Sequence, residues 1–187
     1  MQLDKIRIII FVIFITVIIA IINFLITSFP WFFIGIGSRL APNPQKPEIT
    51  YHEFPFKLTY ELNGEIKVIE DVVICEYDGI KSLGEAGKYR KWKSHLKSGN
   101  ERVSLLKVGD SLEFYFNYGD PENYMGDPQS GKYNKDLYYD LSYIPFIKKE
   151  NGKQVADSGM LADKAWKEYR LRIIEWKYTS PIQNSFK

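Results

Sequence analysis

The feature that most constrains this chain is a run of 30 residues without a charged side chain, residues 8–37. Its apolar first part, residues 8–26, would rise about 28 Å as a helix, close to the thickness of a bilayer's hydrocarbon core. A cleavable signal peptide has an apolar region of only about 7–15 residues, and two passes need at least ~34 apolar residues. We therefore predict one retained transmembrane helix over residues 8–28, embedded in the lipid bilayer.

The ends of this helix carry residues that typically anchor a span. Pro30 lacks a backbone donor and disfavours helix before it, which predicts an end or a kink near Ser28. An interfacial rim then extends to residue 37, where rings settle between hydrocarbon and headgroups. The predicted anchoring residues are Lys5, Arg7, Trp31, Phe32 and Phe33.

The orientation follows from a small difference in charge. Residues 1–7 form a short basic tail, whereas Arg39 and Lys46 follow the helix, so the excess at the amino-terminal side is about one charge. A short basic tail before a first apolar segment favours the cytoplasm for that tail. We expect a single-pass protein of the cytoplasmic membrane, with the C-terminal domain outside.

Residues 38–54 are predicted to form a proline-rich stalk. Pro42, Pro44 and Pro47 favour an extended polyproline path, which gives a semi-rigid spacer on the order of 40 Å. Either the segment is an ordinary linker or it is a proline-rich ligand motif.

Residues 55–187 are predicted to form a mainly β domain, an antiparallel β-sandwich or open barrel of about seven strands with two short helices. Residues 54–62 alternate between apolar and polar side chains, as in a half-buried strand. A three-residue loop, 62–64, would place Tyr60 opposite Ile66 on one apolar face. A bulge is expected near residues 70–71, within the second strand.

A second hairpin and three further strands complete the predicted β structure. A two-residue loop, Gly109-Asp110, would pair Leu105 with Phe114 and Val103 with Phe116. The further strands are expected within residues 137–147, around residues 154–155 and within 171–178.

Two helices are predicted from spacings of three and four residues. In residues 85–99, Tyr89, Trp92 and Leu96 would share one helical face. The other helix would be capped by Ser158 and present Ala165 on its apolar face.

Composition narrows the chemistry of the domain. Cys75 is the one cysteine, so it forms neither an intrachain disulfide nor a thiolate cluster, and it is expected to be a small buried hydrophobe. Without Lys5, Arg7, Arg39 and Asp4, the totals of 25 basic and 23 acidic residues leave 22 of each. The neutral balance argues against nucleic acid as a partner. No metal and no cofactor are expected.

The predicted basic helix supplies one candidate surface, for an anionic group or a protein partner. It comprises Lys88, Arg90, Lys91, Lys93 and Lys97. Such cations form charge-assisted bonds with headgroups, wall polymers or an acidic protein. The alternative is an amphipathic helix that packs on the sheet and leaves its lysines solvated.

A turn-rich loop after residue 117 supplies the other candidate. Its proposed binding residues are Asp120, Glu122, Tyr124, Asp127 and Tyr133. The oxygen ligands suit calcium, but their spacing is not that of an EF-hand. The rings of Tyr124 and Tyr133 suit contact with a glycan, whereas Asp-Pro and Gly-Asp pairs are also ordinary turn residues.

No catalytic residue is predicted, because the sequence has no Gly-x-Ser-x-Gly, phosphate-loop or His-Glu-x-x-His motif. In layout the chain resembles the small membrane-anchored β-proteins of bacterial envelopes. The expected function is a non-catalytic binding module, with a protein or an envelope polymer as partner. The alternatives are a regulatory or immunity-like subunit that associates through its transmembrane helix by Thr16 and Asn23, and an envelope hydrolase that uses a carboxylate pair.

Overall fold

The computed structural model describes residues 2–82, 87–127 and 141–187. It divides into two compact units. The first comprises Met1–Pro44 with Ile80–Tyr89, and the second comprises Gln45–Gly79 with Arg90–Lys187.

The first unit is dominated by helix α1, Gln2–Leu40. Its segment Lys5–Ser28 has 24 residues, a mean hydropathy of 3.3 and no buried share, so it is long and apolar enough to cross a membrane. Of the predicted end or kink near Ser28, the end is wrong, because α1 runs through Pro30 to Leu40. A proline removes one backbone donor and disfavours helix, but it does not exclude a continuous helix.

The second unit is built from two antiparallel sheets, and some of its strands extend into residues 80–89. One sheet has the order β3-β2-β1-β8 and the other β4-β5-β6-β7. The strands are β1 (Tyr51–Leu62), β2 (Glu65–Ser82), β3 (Lys88–Leu96), β4 (Val103–Val108), β5 (Leu112–Phe116), β6 (Tyr143–Glu150), β7 (Lys153–Leu161) and β8 (Leu171–Tyr178). Two short helices, α2 (Pro121–Tyr124) and α3 (Ala162–Tyr169), lie between strands.

Both sheets contribute to one hydrophobic core. Phe54, Leu58 and Val73 come from the first sheet, and Phe114 and Ile144 come from the second. Each of these side chains is at most 1% exposed. The predicted mainly β fold with an N-terminal apolar helix is therefore confirmed, with eight strands in the described residues where about seven were expected.

The first hairpin turns in a register that differs from the prediction. Asn63 and Gly64 form a two-residue loop, both with positive φ, and Tyr60 lies opposite Lys67 rather than Ile66. Asn-Gly suits this tight turn because both positions tolerate left-handed backbone. The preference of Asn-Gly for a two-residue turn outweighs the register that would align the apolar faces of the two strands. Ile66 and Val68 therefore remain exposed. The pairing with β1 is continuous through residues 70–71, so the bulge predicted there is wrong on that side of β2.

Of the two residue pairs predicted for the second hairpin, one is confirmed and the other is wrong. Val103 lies opposite Phe116 as predicted, but Phe114 pairs with Leu106. The loop has three residues, 109–111, and an irregularity in β4 between Ser104 and Leu106 restores the expected register.

Residues 88–96 form strand β3, so the helix predicted over residues 85–99 is wrong. The buried positions are Arg90, Trp92 and Leu96, which follow the two-residue period of a strand. The second predicted helix is confirmed as α3, but Ser158 lies within β7 and Leu161 is the residue before the helix.

The other strand predictions fall close to β6, β7 and β8. β8 has the predicted bounds of 171–178, and β7 contains residues 154–155. Of the strand expected within 137–147, residues 137–140 lie outside the described residues, and the described strand β6 begins at Tyr143.

Part of the predicted stalk belongs to the second unit. Lys46 N donates to Lys187 O at 2.9 Å, and Lys187 N donates back to Lys46 O at 3.0 Å. Pro47 and Phe186 are bridge partners, and β1 begins at Tyr51. Residues 45–54 are therefore held by their own domain rather than forming a free spacer.

Candidate functional site

Three lysines of the predicted basic surface are exposed on or directly after β3, and each has an acidic partner. Lys93 Nζ lies 2.8 Å from Glu76, and Lys97 Nζ lies 2.7 Å from Glu53. Lys91 pairs with Asp78. These bonds lower the pKa of Asp78 and Glu53, chiefly through hydrogen bonds from Lys91 and Lys97, and the bond to Glu76 raises the pKa of Lys93. The outer row of β3 therefore carries balanced charges.

The two other members of that surface have different surroundings. In the first unit, Lys88 Nζ donates to Asn43 Oδ1 at 3.0 Å. Arg90 is 7% exposed, because it points toward the core on the same side of β3 as Trp92. Arg90 is thus a buried residue of the second unit.

Arg90 and Trp92 meet the predicted acidic loop at Asp127. The guanidinium donates from Nε to Oδ2 at 2.7 Å and from Nη2 to Oδ1 at 2.5 Å. Trp92 Nε1 donates to the same carboxylate at 2.8 Å. A third nitrogen, Arg90 Nη1, reaches Gln45 O at 3.1 Å, and the guanidinium lies 4.0 Å from the Phe186 ring centroid.

This buried cluster has the geometry of a structural bond rather than of a ligand site. Asp127 is 1% exposed and both of its oxygens accept hydrogen bonds. Bidentate pairing of this kind fixes orientation as well as charge. The cluster joins β3, the loop after α2 and both end segments of the domain.

The remaining loop residues divide between core and surface. Tyr124 is buried: its hydroxyl donates to Tyr118 O at 2.6 Å and its ring centroid lies 4.8 Å from that of Phe54. Burial raises the pKa of Tyr124, and burial is also the main cause that raises the pKa of Glu122. Asp120 is exposed, and Tyr133 lies outside the described residues. Among the described residues, no group of three or more His, Cys, Asp or Glu could hold a metal ion.

A cleft of about 450 Å³ opens beside strands β4 and β5. Its lining mixes an aliphatic part with six charged residues and several neutral polar ones. It is formed by Ile69, Asp71, Leu96, Asn100, Glu101, Arg102, Val103, Ser104, Lys107, Glu113 and Lys149. Its volume is in the range of small-molecule sites.

Glu113 is the unusual member of this cleft. It is 9% exposed, yet its carboxylate accepts no hydrogen bond from the part of the chain that the structure describes. Lys149 Nζ lies 3.8 Å from Oε2 and Lys107 Nζ lies 3.9 Å from Oε1, beyond ordinary hydrogen-bond length. Glu113 lines the cleft, so its oxygens keep capacity to accept from a ligand donor.

The second carboxylate of the lining is already engaged. Asp71 accepts hydrogen bonds from Val72 N at 2.7 Å and from Ser98 Oγ at 2.6 Å. It therefore positions the β3–β4 connection. Glu113 remains the buried acid of the cleft with capacity for a ligand.

Sequence reasoning missed this cleft. The cross-strand pair of Lys107 with Glu113 follows from the three-residue loop, whereas the predicted two-residue loop places Glu113 one position away. The available signal was the run of polar residues at alternate positions, which is also the pattern of an ordinary solvated face.

The membrane-anchoring prediction concerns the first unit. Lys5 and Arg7 are exposed at the beginning of α1. Trp31, Phe32 and Phe33 lie in α1 beyond the segment Lys5–Ser28, and their side chains lie outside the described part.

Against known proteins, no family model, no curated protein and no solved structure matches this chain.

Proposed function

We propose that this chain is a single-pass membrane protein that holds a non-catalytic β domain at the cell envelope as a binding module. The observation that carries the proposal is the exposure of α1. Sixteen large apolar side chains between Ile6 and Ile26 are between 39% and 67% exposed. Removal of each such side chain from water contributes roughly 1.5–3 kcal/mol. Burial of α1 in lipid would therefore stabilise it by tens of kcal/mol relative to water.

The proposed location is the cytoplasmic membrane, with residues 1–7 inside and the β domain outside. Lys5 and Arg7 support this orientation through the positive-inside rule, and residues 8–28 would contact the lipid bilayer. The binding part is supported by the cleft at Glu113, which offers a carboxylate acceptor and charged donors to a partner.

Labelling of introduced cysteines tests the location directly. Burial raises the pKa of Cys75 to about 12, and its side chain is 0% exposed, so the native thiol gives little background with a maleimide. We would introduce Gln2→Cys and, separately, Gln183→Cys, which lies at an exposed position. An impermeant maleimide should label Q183C in intact cells and label Q2C only after the membrane is opened.

Two controls define the outcomes of this experiment. The unmodified chain measures the reactivity of Cys75, and extraction with alkaline carbonate separates integral from peripheral protein. Labelling of Q2C in place of Q183C in intact cells would contradict the orientation. Release of the chain by carbonate would contradict the membrane anchor.

A second function is favoured by Asn23, whose amide lies within the apolar segment of α1. Asn23 Nδ2 donates to Ile19 O at 3.1 Å, which leaves further hydrogen-bonding capacity on this side chain. Thr16 Oγ1 donates to Val12 O at 2.9 Å and needs no partner helix. The alternative is therefore a regulatory or immunity-like subunit that contacts another membrane helix through Asn23.

Co-purification separates the two functions. Under the alternative, Asn23→Leu abolishes capture of a membrane partner in mild detergent, while Thr27→Val leaves it unchanged because Thr27 Oγ1 bonds its own helix at Asn23 O. Under the first proposal, neither substitution changes what the full-length chain captures.

A further inference from the structure

We infer that the cleft beside Glu113 binds a neutral saccharide, which deepens the binding role proposed above and rests on it. The cleft lies wholly within the second unit and is lined by described residues. Three features of the cleft point to such a ligand, namely its charge balance, the hydrogen-bonding state of Glu113 and the aliphatic part of its lining.

The charges of the lining sum to zero. Asp71, Glu101 and Glu113 carry negative charge, and Arg102, Lys107 and Lys149 carry positive charge. Each Glu113 oxygen has one ammonium nitrogen within 4 Å. A charged ligand of either sign would meet three like charges as well as three opposite ones, so its net charge would gain little. The balance favours a ligand without net charge.

The donors and acceptors of the cleft require a ligand that offers both. Glu113 can only accept, and the Lys107 and Lys149 ammonium groups can only donate. A hydroxyl group does both, so one hydroxyl can donate to Glu113 while a neighbouring oxygen accepts from a lysine. Adjacent hydroxyl groups that meet this requirement are a regular feature of sugars.

Ile69 gives the cleft a small apolar surface. It is half-buried, whereas Leu96 and Val103 are 1% and 3% exposed and belong to the core. The C–H face of a sugar ring is apolar and would pack on such a surface. The volume of about 450 Å³ accommodates a short saccharide rather than a long polymer held along its whole length.

Binding should be measured with the full-length chain in lipid nanodiscs. Maltoside and glucoside detergents are avoided because their headgroups are themselves neutral saccharides. The probes are maltose, cellobiose and N,N′-diacetylchitobiose, examined by saturation-transfer NMR and titration calorimetry. Glycylglycine and glucuronate serve as zwitterionic and anionic probes of similar or smaller size. At least one neutral disaccharide is expected to bind saturably, and more tightly than either charged probe.

Variants locate the binding site. Glu113→Gln removes the charge and keeps the shape, so it should weaken the disaccharide at least tenfold. Lys107→Met should also weaken it, and its side chain is 67% exposed, which makes the substitution safe for folding. The matched control is Glu150→Gln, because Glu150 is 59% exposed on β6 and pairs with Lys148. Thermal melting of each variant confirms that it is folded.

The inference is overturned if no neutral disaccharide binds, if a charged probe binds more tightly, or if binding survives both E113Q and K107M. Those results would leave the proposed membrane-anchored binding role intact as long as the cysteine labelling gives the expected orientation. Conversely, a chain released from membranes by carbonate would contradict the anchor even if it bound a disaccharide.

Discussion

At the scale of single residues, the buried pair of Arg90 and Asp127 has the largest energetic consequence. Their side chains are 8% and 0% exposed, so solvent screens them little. Removing two charges from water is costly. The hydrogen bonds from Arg90 and Trp92 to Asp127 offset that cost. Each partner therefore depends on the other, and loss of one leaves an uncompensated buried charge.

Asp127→Asn is expected to lower the free energy of unfolding by about 3–5 kcal/mol, the usual range when one partner of a buried pair is removed. The measurement is urea unfolding of the full-length chain in nanodiscs, followed by tryptophan fluorescence. Trp92 donates to Asp127, so its environment should report the same transition.

Asp78→Asn is the matched control for this substitution. It makes the same change on the exposed partner of another β3 cation, Lys91, and solvent screens such a pair, so little stability should be lost. If D127N and D78N changed the free energy of unfolding equally, Arg90–Asp127 would not be the structural bond described above.

The stability of the folded chain should fall with rising pH as Glu122 ionises. Burial raises its pKa above the ordinary value of 4.5, so protonated Glu122 favours the folded state. That stabilisation is present below pH 4.5 and is lost as the pH rises through the folded-state pKa. Glu122→Gln should therefore raise the melting temperature at pH 7.5, and the gain should shrink as the pH falls toward about 4.5.

Glu65→Gln is the control for the pH experiment, since Glu65 is exposed at the first hairpin. It should shift the melting temperature little at either pH. A Glu122→Gln variant that was less stable than the unmodified chain at pH 7.5 would contradict the burial of an ionised carboxylate.

At the scale of elements, β3 shows where local sequence is insufficient. The mainly β fold and the positions of α3 and β8 follow from alternation, apolar spacing and turn residues. In β3, however, the inward positions include Arg90 beside Trp92 and Leu96. The apolar residues of this strand are therefore spaced as they would be on one face of a helix. The contact with Asp127, 37 residues away, helps to make an inward arginine favourable.

The candidate site was not predicted for the same reason, since it also depends on contacts between residues remote in sequence. Glu113 reads as a polar residue of an outer face, because its burial depends on Lys107 across the hairpin and Lys149 from β6. The distance between segments remote in sequence decides whether such residues are solvated or enclosed. Local periodicity contains no information about that distance.

The segment after α2 approaches the C-terminal tail, defined as Ile182–Lys187, closely enough to require glycine. Gly126 has φ of +62°, and an added Cβ would lie 2.3 Å from Ile182 O. Ile182 N donates to Tyr124 O at 3.0 Å, so this backbone cannot retreat without losing that bond. The loop that contains Asp127 and the C-terminal tail are thus positioned together.

Gly126→Ala should be more destabilising than Gly99→Ala. Gly99 has φ of +79° with open space around it, so alanine there meets only the left-handed strain of roughly 1–2 kcal/mol. At Gly126 the steric overlap adds to that strain, and we expect a further loss of about 2 kcal/mol or more. Urea unfolding of both variants measures the difference, and equal losses would contradict the close approach.

At the scale of the whole molecule, the two end segments of the β domain hold each other. Residues 45–49 pair with the C-terminal tail through the Lys46–Lys187 bonds and a bond from Glu48 N to Ser185 O. Asn184 adds side-chain bonds to both the N–H and the carbonyl of Ile49. The segment that leads from α1 into the domain is therefore fixed by the last residues of the chain.

Deletion of residues 184–187 should lower the free energy of unfolding by roughly 2–4 kcal/mol, because it removes several backbone hydrogen bonds and the Phe186 ring from Arg90. It should also free residues 45–49 for cleavage. Thermolysin cuts before aliphatic residues, so cutting between Glu48 and Ile49 should become faster and separate α1 from the strands. Gln183→Ala is the control, since Gln183 is exposed and the substitution keeps the backbone pairing, so the cleavage rate should stay unchanged. If the deletion leaves residues 45–49 as resistant as in the unmodified chain, the C-terminal tail does not hold that segment.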